Sequence, residues 1–114
     1  MKAITESFDV STRGKGTYEI TAHVESLLRA SGIRTGLATV FVRHTSASLV
    51  VYENADPTAR ADLHRYFEDL VPEGHPGLVH TAEGPDDSTS HLKMALTRTS
   101  ESVPKSRYFT RWKF

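Results

Sequence analysis

The sequence predicts an α+β fold in which mainly antiparallel, sandwich-like strands carry two or three helices on one face. Three observations predict it. Apolar runs of strand character recur near residues 3–10, 36–42 and 47–53, and short turn signals between them favour antiparallel pairing. Helical apolar spacing occurs near residues 21–31 and 57–70, bounded by capping and stop residues. At 114 residues the chain has room for one core, so a single domain over 1–114 is expected.

In the first segment Ile4, Phe8 and Val10 alternate with Thr5, Ser7 and Asp9. The turn signal Gly14-Lys15-Gly16 then precedes Tyr18-Glu19-Ile20, the pattern of a β-hairpin. Thr21 is placed to cap a helix in which Val24, Leu27 and Leu28 share a face, with Gly32 to end it. Residues 36–42 put Ala38, Val40 and Val42 on one side and Leu37, Thr39 and Phe41 on the other, which reads as a central strand buried on both faces. After a turn around Thr45-Ser46, a further strand is expected from about Ala47 to Glu53-Asn54, with residues 49–52 in the core.

Asp56-Pro57 is a helix start: Asp accepts from free N–H groups of the first turn, and Pro at the first helical position loses no hydrogen bond. Ala59, Leu63, Phe67 and Leu70 form the apolar stripe, and Val71-Pro72 stops the helix. Residues 72–87, rich in Pro, Gly and acids with His75 and His80 among them, form a long loop of the kind that serves function. A short helix from residue 88 to about 96, with Leu92, Ala95 and Leu96 inward, precedes a strand-like segment at 97–103.

Fourteen basic residues balance fourteen acidic ones, which disfavours a nucleic-acid partner. No cysteine is present, so any metal must use His, carboxylate or amide ligands. The N-terminus has no secretion-like pattern and no apolar run approaches a membrane span, which predicts a soluble, cytoplasmic protein without a membrane partner.

Two clusters carry candidate chemistry. In residues 43–57, His44 is followed by Thr45, Ser46 and Ser48, whose hydroxyls and turn N–H groups suit an anion such as phosphate; an ST-turn capping the strand is the structural alternative. Strand alternation sends Glu53 and Asn54 to opposite faces, and Asp56 is committed to capping. The second cluster runs through Glu83, Asp86, Asp87, His91 and Lys93. With a helix start near Ser88, Asp87 and His91 stand four apart and can meet on one face. Two adjacent carboxylates repel, and Mg²⁺ or Zn²⁺ would relieve that. His44, His91 and one carboxylate, Asp87, satisfy a metal site's ligand types, with His80 as the reserve ligand.

Together, His44-Thr45-Ser46-Ala47-Ser48-Leu49, Glu53-Asn54-x-Asp56-Pro57 and Glu83-Gly84-x-Asp86-Asp87 with His91 and Lys93 resemble the YjbQ family over roughly residues 3–104. The resemblance implies an α+β sandwich-like fold, a homotrimer, and a site where His44, Asn54, Asp86, Asp87 and His91 converge. It also implies a secondary thiamine-phosphate synthase activity, joining hydroxymethylpyrimidine pyrophosphate to thiazole phosphate with release of pyrophosphate. Carboxylates would then hold a divalent metal, while Thr45, Ser46, Ser48 and Lys93 would bind phosphate oxygens of a small phosphorylated molecule. A non-catalytic trimeric binding protein and a metal-dependent hydrolase are the alternatives. The sequence departs from the family pattern at Ser88-Thr89, where Met-Pro is usual, and after residue 104, where only a Thr and a Trp echo the family's Gly-Thr-Trp-Gln. The basic and aromatic residues from 105 onward suit a surface arm or a path against a neighbouring subunit.

Overall fold

The computed structural model describes residues 1–53 and 55–105. Asn54 and the tail from residue 106, with the expectations attached to them, lie outside the described residues. The elements run α1 (Thr21–Ala30), β1 (Gly36–Phe41), α2 (Pro57–Leu70), α3 (Asp87–Leu96) and β2 (Ser100–Lys105). Three helices and an antiparallel pair of strands make an α+β fold. No helix among the described residues is long and apolar enough to cross a membrane.

β1 and β2 pair in a register that sets Gly36 opposite Lys105 and Phe41 opposite Ser100. Thr39 and Ser102 bond across the ribbon, Oγ1 to Oγ, at 2.8 Å. The expected sandwich-like sheet is not formed among the described residues, where the sheet has two strands. β1 is also not buried on both faces: Leu37 and Phe41 are exposed on one side, while Val40 and Val42 on the other pack against Ile20, Val24 and Leu49. A β-strand's second face is covered only where another layer is supplied, and strand periodicity cannot supply it.

The segment after His44 meets its partner at a single bridge, Leu49 with Arg98, instead of forming a strand. Leu49 donates its N–H to the Arg98 carbonyl at 2.7 Å and is buried, but Val51 and Tyr52 are exposed. The expected N-terminal hairpin does not form among the described residues either, although its turn exists. Tyr18 folds back on that turn, its hydroxyl donating to the Gly14 carbonyl at 2.6 Å and accepting the Arg13 N–H at 2.8 Å, so local bonds replace a ladder. Phe8 instead stacks on His23, ring centroids 5.1 Å apart, and joins the core from outside any strand.

α1 starts one residue earlier in register than its sequence suggests: Ile20 is the N-cap and makes no side-chain cap bond, and Thr21 is already helical. At its other end Lys2 and Lys105 donate to the Ser31 and Leu28 carbonyls at 2.7 and 2.6 Å. Cations there satisfy free carbonyls and complement the helix dipole. α2 follows expectation, with Asp56 accepting the Thr58 N–H at 2.9 Å and Pro57 at the first helical position. Its stripe is shallow, for no residue of α2 is buried and Leu70 is exposed.

The expected inward leucines of α3 are not buried. Leu92 and Leu96 are exposed, while Thr89 is buried and donates its hydroxyl to the Asp86 carbonyl at 2.9 Å. Lys93, whose side chain is only 17% exposed, pairs with Glu68 of α2 at 2.5 Å, and Glu68 also meets Lys15 at 3.1 Å. α3 is therefore joined to the rest of the chain by polar groups, which an apolar-stripe reading passes over.

Leu49→Ala should lower unfolding stability by about 2–4 kcal/mol through lost burial and the cavity left behind, whereas Val51→Ala should cost less than about 0.5 kcal/mol. Urea unfolding midpoints check both. The Glu68 carboxyl is held below its ordinary range first by its hydrogen bond from Lys93 and then by that from Lys15. Its contribution is thus present above the ordinary carboxylate range and lost as pH falls through the lowered value. Glu68→Gln should flatten the decline in stability between about pH 5 and pH 3, measured by urea unfolding across that range.

Candidate metal centre

α3 begins at Asp87, so Asp87 and His91 lie one turn apart on the same helical face. Their side chains meet, His91 Nε2 standing 3.2 Å from Asp87 Oδ2. The loop before the helix brings a third group: His80 Nε2 lies 2.8 Å from the same Asp87 oxygen and 3.3 Å from Glu83 Oε2. The two imidazole rings sit 5.9 Å apart, centroid to centroid. His80, Asp87 and His91 each offer one ligand atom, and all three atoms fall within 4.8 Å of one another.

The other nitrogen of His91 determines what this arrangement can do. Nδ1 lies 2.7 Å from the Thr45 carbonyl oxygen. A carbonyl only accepts, so Nδ1 carries the hydrogen. In the neutral ring Nε2 then presents a lone pair toward the Asp87 carboxylate, which is unfavourable unless a proton or a metal ion lies between them. Accordingly the His91 pKa is raised, first by the Thr45 bond and then, against some desolvation, by the nearby Asp87 and Glu83 charges. The Asp87 carboxyl is lowered, first by the His80 hydrogen bond, then by Glu83 and by the charges of His91 and His80. A backbone-anchored imidazole, a second imidazole and a carboxylate with their ligand atoms within 4.8 Å of one another are donor types that a divalent transition metal takes.

The candidate residues divide between this centre and other duties. Asp87 and His91 are in it. His44 is not: its Nδ1 accepts the Ser46 N–H at 3.0 Å and lies 3.0 Å from the Ser46 hydroxyl, closing an exposed local turn. Thr45 contributes its carbonyl rather than its hydroxyl. The Ser48 hydroxyl accepts from Thr97 Oγ1 at 2.5 Å. Lys93, two residues beyond His91 and so about 200° around the helix axis, turns to Glu68. Asp86 is the helix N-cap without a side-chain cap bond, and its carbonyl accepts from Thr89 and Ser90 hydroxyls at 2.9 and 2.7 Å. Glu53, outside the candidate set, folds onto the backbone N–H groups of Ala55 and Asp56 at 2.7 and 3.2 Å.

The residue that sequence spacing underweights is His80. It lies seven positions before Asp87 in a loop, where no period relates side chains, and only its acidic surroundings mark it as a ligand type.

The model of the family described as UPF0047 protein YjbQ-like matches residues 6–107. A UPF0047 protein of Synechocystis sp. is 46% identical over 95 residues, covering 83% of this chain and 65% of that protein. The UPF0047 protein YjbQ of Salmonella typhimurium is 38% identical over 96 residues, covering 83% and 69%. This chain thus spans slightly under two thirds of the Synechocystis relative's length. Among solved structures, a conserved hypothetical protein of Thermus thermophilus superposes with a TM-score of 0.78 at 35% identity, covering 93% of this chain and 82% of that one. An uncharacterised conserved protein of the YjbQ/UPF0047 family from Clostridium acetobutylicum gives a TM-score of 0.77 at 27% identity, covering 91% and 81%.

These relatives correct the expected activity. Solved structures of the family carry descriptions as uncharacterised or of unknown function, and thiamine-phosphate synthase is a different fold and family. Thiamine-phosphate synthesis is therefore not the function these relatives support for this chain. From the match over residues 6–107 and the identity to its curated relatives, the chain belongs to the YjbQ-like UPF0047 family.

Proposed function

We propose that this protein binds a divalent transition metal ion of the Zn²⁺ type through His80 Nε2, Asp87 Oδ2 and His91 Nε2. The observation that carries the reading is the direction of His91: its Nδ1 hydrogen bonds the Thr45 carbonyl, leaving Nε2 aimed at Asp87. The spacing supports it as well. Zinc bonds of roughly 2.0–2.1 Å in tetrahedral geometry put neighbouring ligand atoms about 3.3 Å apart, and the Asp87 oxygen stands 3.2 Å and 2.8 Å from the two imidazole nitrogens. Imidazole donors favour zinc, while Mg²⁺ prefers oxygen ligands and water, so Zn²⁺ is the better match of the two.

Three protein ligands leave one tetrahedral position for water or an exogenous oxygen ligand. When bound, such an ion supplies Lewis acidity at that position. The chain's own residues supply orientation: Thr45 fixes the His91 tautomer, the first turn of α3 fixes Asp87, and the loop ending at Asp86 delivers His80. The wider sandwich-like sheet and the homotrimer belong to the same reading. Their support is the β1–β2 ribbon, where Leu37 and Phe41 are 71% and 63% exposed on one face, an apolar surface of the kind further strands or neighbouring subunits cover.

Equilibrium dialysis against Zn²⁺ or Co²⁺ should show one ion per chain. Outer-shell substitutions at metal sites typically cost 10–100-fold in affinity, so His80→Ala, Asp87→Ala and His91→Ala should each weaken binding by at least about 100-fold. His44→Ala, which reaches the centre only through the turn that holds Thr45, should weaken binding less than any of these three. Stoichiometric binding that survives the double substitution of His80 and His91, or no binding by wild type, would overturn the assignment.

A further inference from the structure

An apolar groove of about 330 Å³ runs between the end of α2 and the second half of α3, lined by residues including Leu70, Val71, Leu78, Leu92, Ala95 and Leu96. Leu70, Leu92 and Leu96 stay 50%, 42% and 58% exposed, although their spacing suits burial. Both walls come from segments that also carry ligands of the metal centre. Ala95 is one helical turn past His91, about 6 Å along the axis, and Asp87, His91 and Ala95 follow one another at four-residue steps on one stripe. Leu78 precedes His80 by two residues, at most about 7 Å of chain. Each segment that contributes a ligand to the centre therefore also contributes a wall to the groove.

We infer that the metal centre takes a small amphipathic anion, its carboxylate or phosphate head at the open coordination position and its apolar body in this groove. The inference rests on the metal reading above. The open coordination position selects the head: Asp87 and Glu83, 3.3 Å from His80, together balance a divalent ion, so the head is an anionic oxygen held as a ligand of the ion itself rather than by net charge. Lining selects the body, because the groove's walls are aliphatic apart from His75, whose Nδ1 is engaged by the Gly77 N–H at 3.0 Å. Size selects a small ligand. Stable protein interfaces recruit about 20–30 residues a side, whereas eight residues line this groove, and its volume lies at the low end for small-molecule sites. A short acyl chain or a single ring fits that space better than a second protein does.

Titration of the Co²⁺-loaded full chain with straight-chain carboxylates from acetate to octanoate, read by the cobalt visible spectrum, tests this. Affinity should rise by up to about fourfold per methylene until the groove is filled. Leu92→Asp and, independently, Leu96→Gln should abolish that rise while Co²⁺ and acetate bind as in wild type; both positions are exposed, so the fold tolerates them. If Co²⁺ does not bind, the metal reading fails and this inference falls with it. If Co²⁺ binds but acetate and octanoate bind alike, the inference alone is overturned. It is equally overturned if the chain-length trend is missing and Leu92→Asp dissociates an oligomer in sedimentation, which would assign the groove to a second copy of the chain.

Discussion

One hydrogen bond, from His91 Nδ1 to the carbonyl of Thr45, ties together segments 46 residues apart and determines the chemistry of the candidate centre. Without it the imidazole on α3 could present either nitrogen and either tautomer to Asp87. With it only Nε2 is available, and the electrostatic conflict between that lone pair and the carboxylate is relieved by a proton or by a metal ion. The bond costs Thr45 nothing, since its hydroxyl stays out of the interaction, and it makes the backbone of the 43–46 turn a support for a residue in a distant helix.

That arrangement separates polar density from function. Residues 43–57 hold a dense run of polar groups, yet several of them are occupied in structural bonds. His44 and Ser46 close a turn, Glu53 binds two backbone N–H groups, Asp56 caps α2, and Ser48 receives Thr97. Among the described residues, no buried side-chain nitrogen or oxygen lacks a partner. A small α+β chain with few fully buried residues relies on such short-range bonds to fix its turns, because apolar burial alone cannot specify them.

Legibility in the sequence follows the range of the forces involved. α2 is readable to the residue because Asp56, Pro57, Val71 and Pro72 act within one turn of the backbone they control. Asp87 and His91 are readable as a pair because helical geometry alone sets their approach. His80 is not, since a loop places side chains through tertiary contacts that no period records. The strands elude the pattern for a related reason: alternation at 36–42 and 47–53 states which side chains share a face, but burial depends on whether a second layer exists. Leu49 finds a partner in Arg98, and Val51 stays exposed. On α3 the shared face is legible but its depth is not: Thr89 is buried and Lys93 is engaged by Glu68, while Leu92 and Leu96 on the same side stay exposed.

α3 carries its polar anchors and its exposed leucines on neighbouring stripes. Thr89 lies three residues before Leu92 and seven before Leu96, so all three share a side of the helix, yet Thr89 is buried while the two leucines stay exposed beside the end of α2. Asp87 and His91 lie on the other side from Lys93, about 200° around the axis between His91 and Lys93. The helix is thus held through Thr89, Lys93 and His91, and its leucines are left without cover. Burying a leucine is worth about 1.5–3 kcal/mol, so exposing two of them is a substantial loss for a small domain whose net stability is commonly only about 5–15 kcal/mol. Charge-assisted bonds from Lys93 to Glu68, contributing roughly 1.5–3 kcal/mol at best and less where solvent screens them, do not offset that alone. A ligand that covers the groove recovers part of that loss, so the uncovered leucines of α3 are the feature that joins the fold to its proposed use.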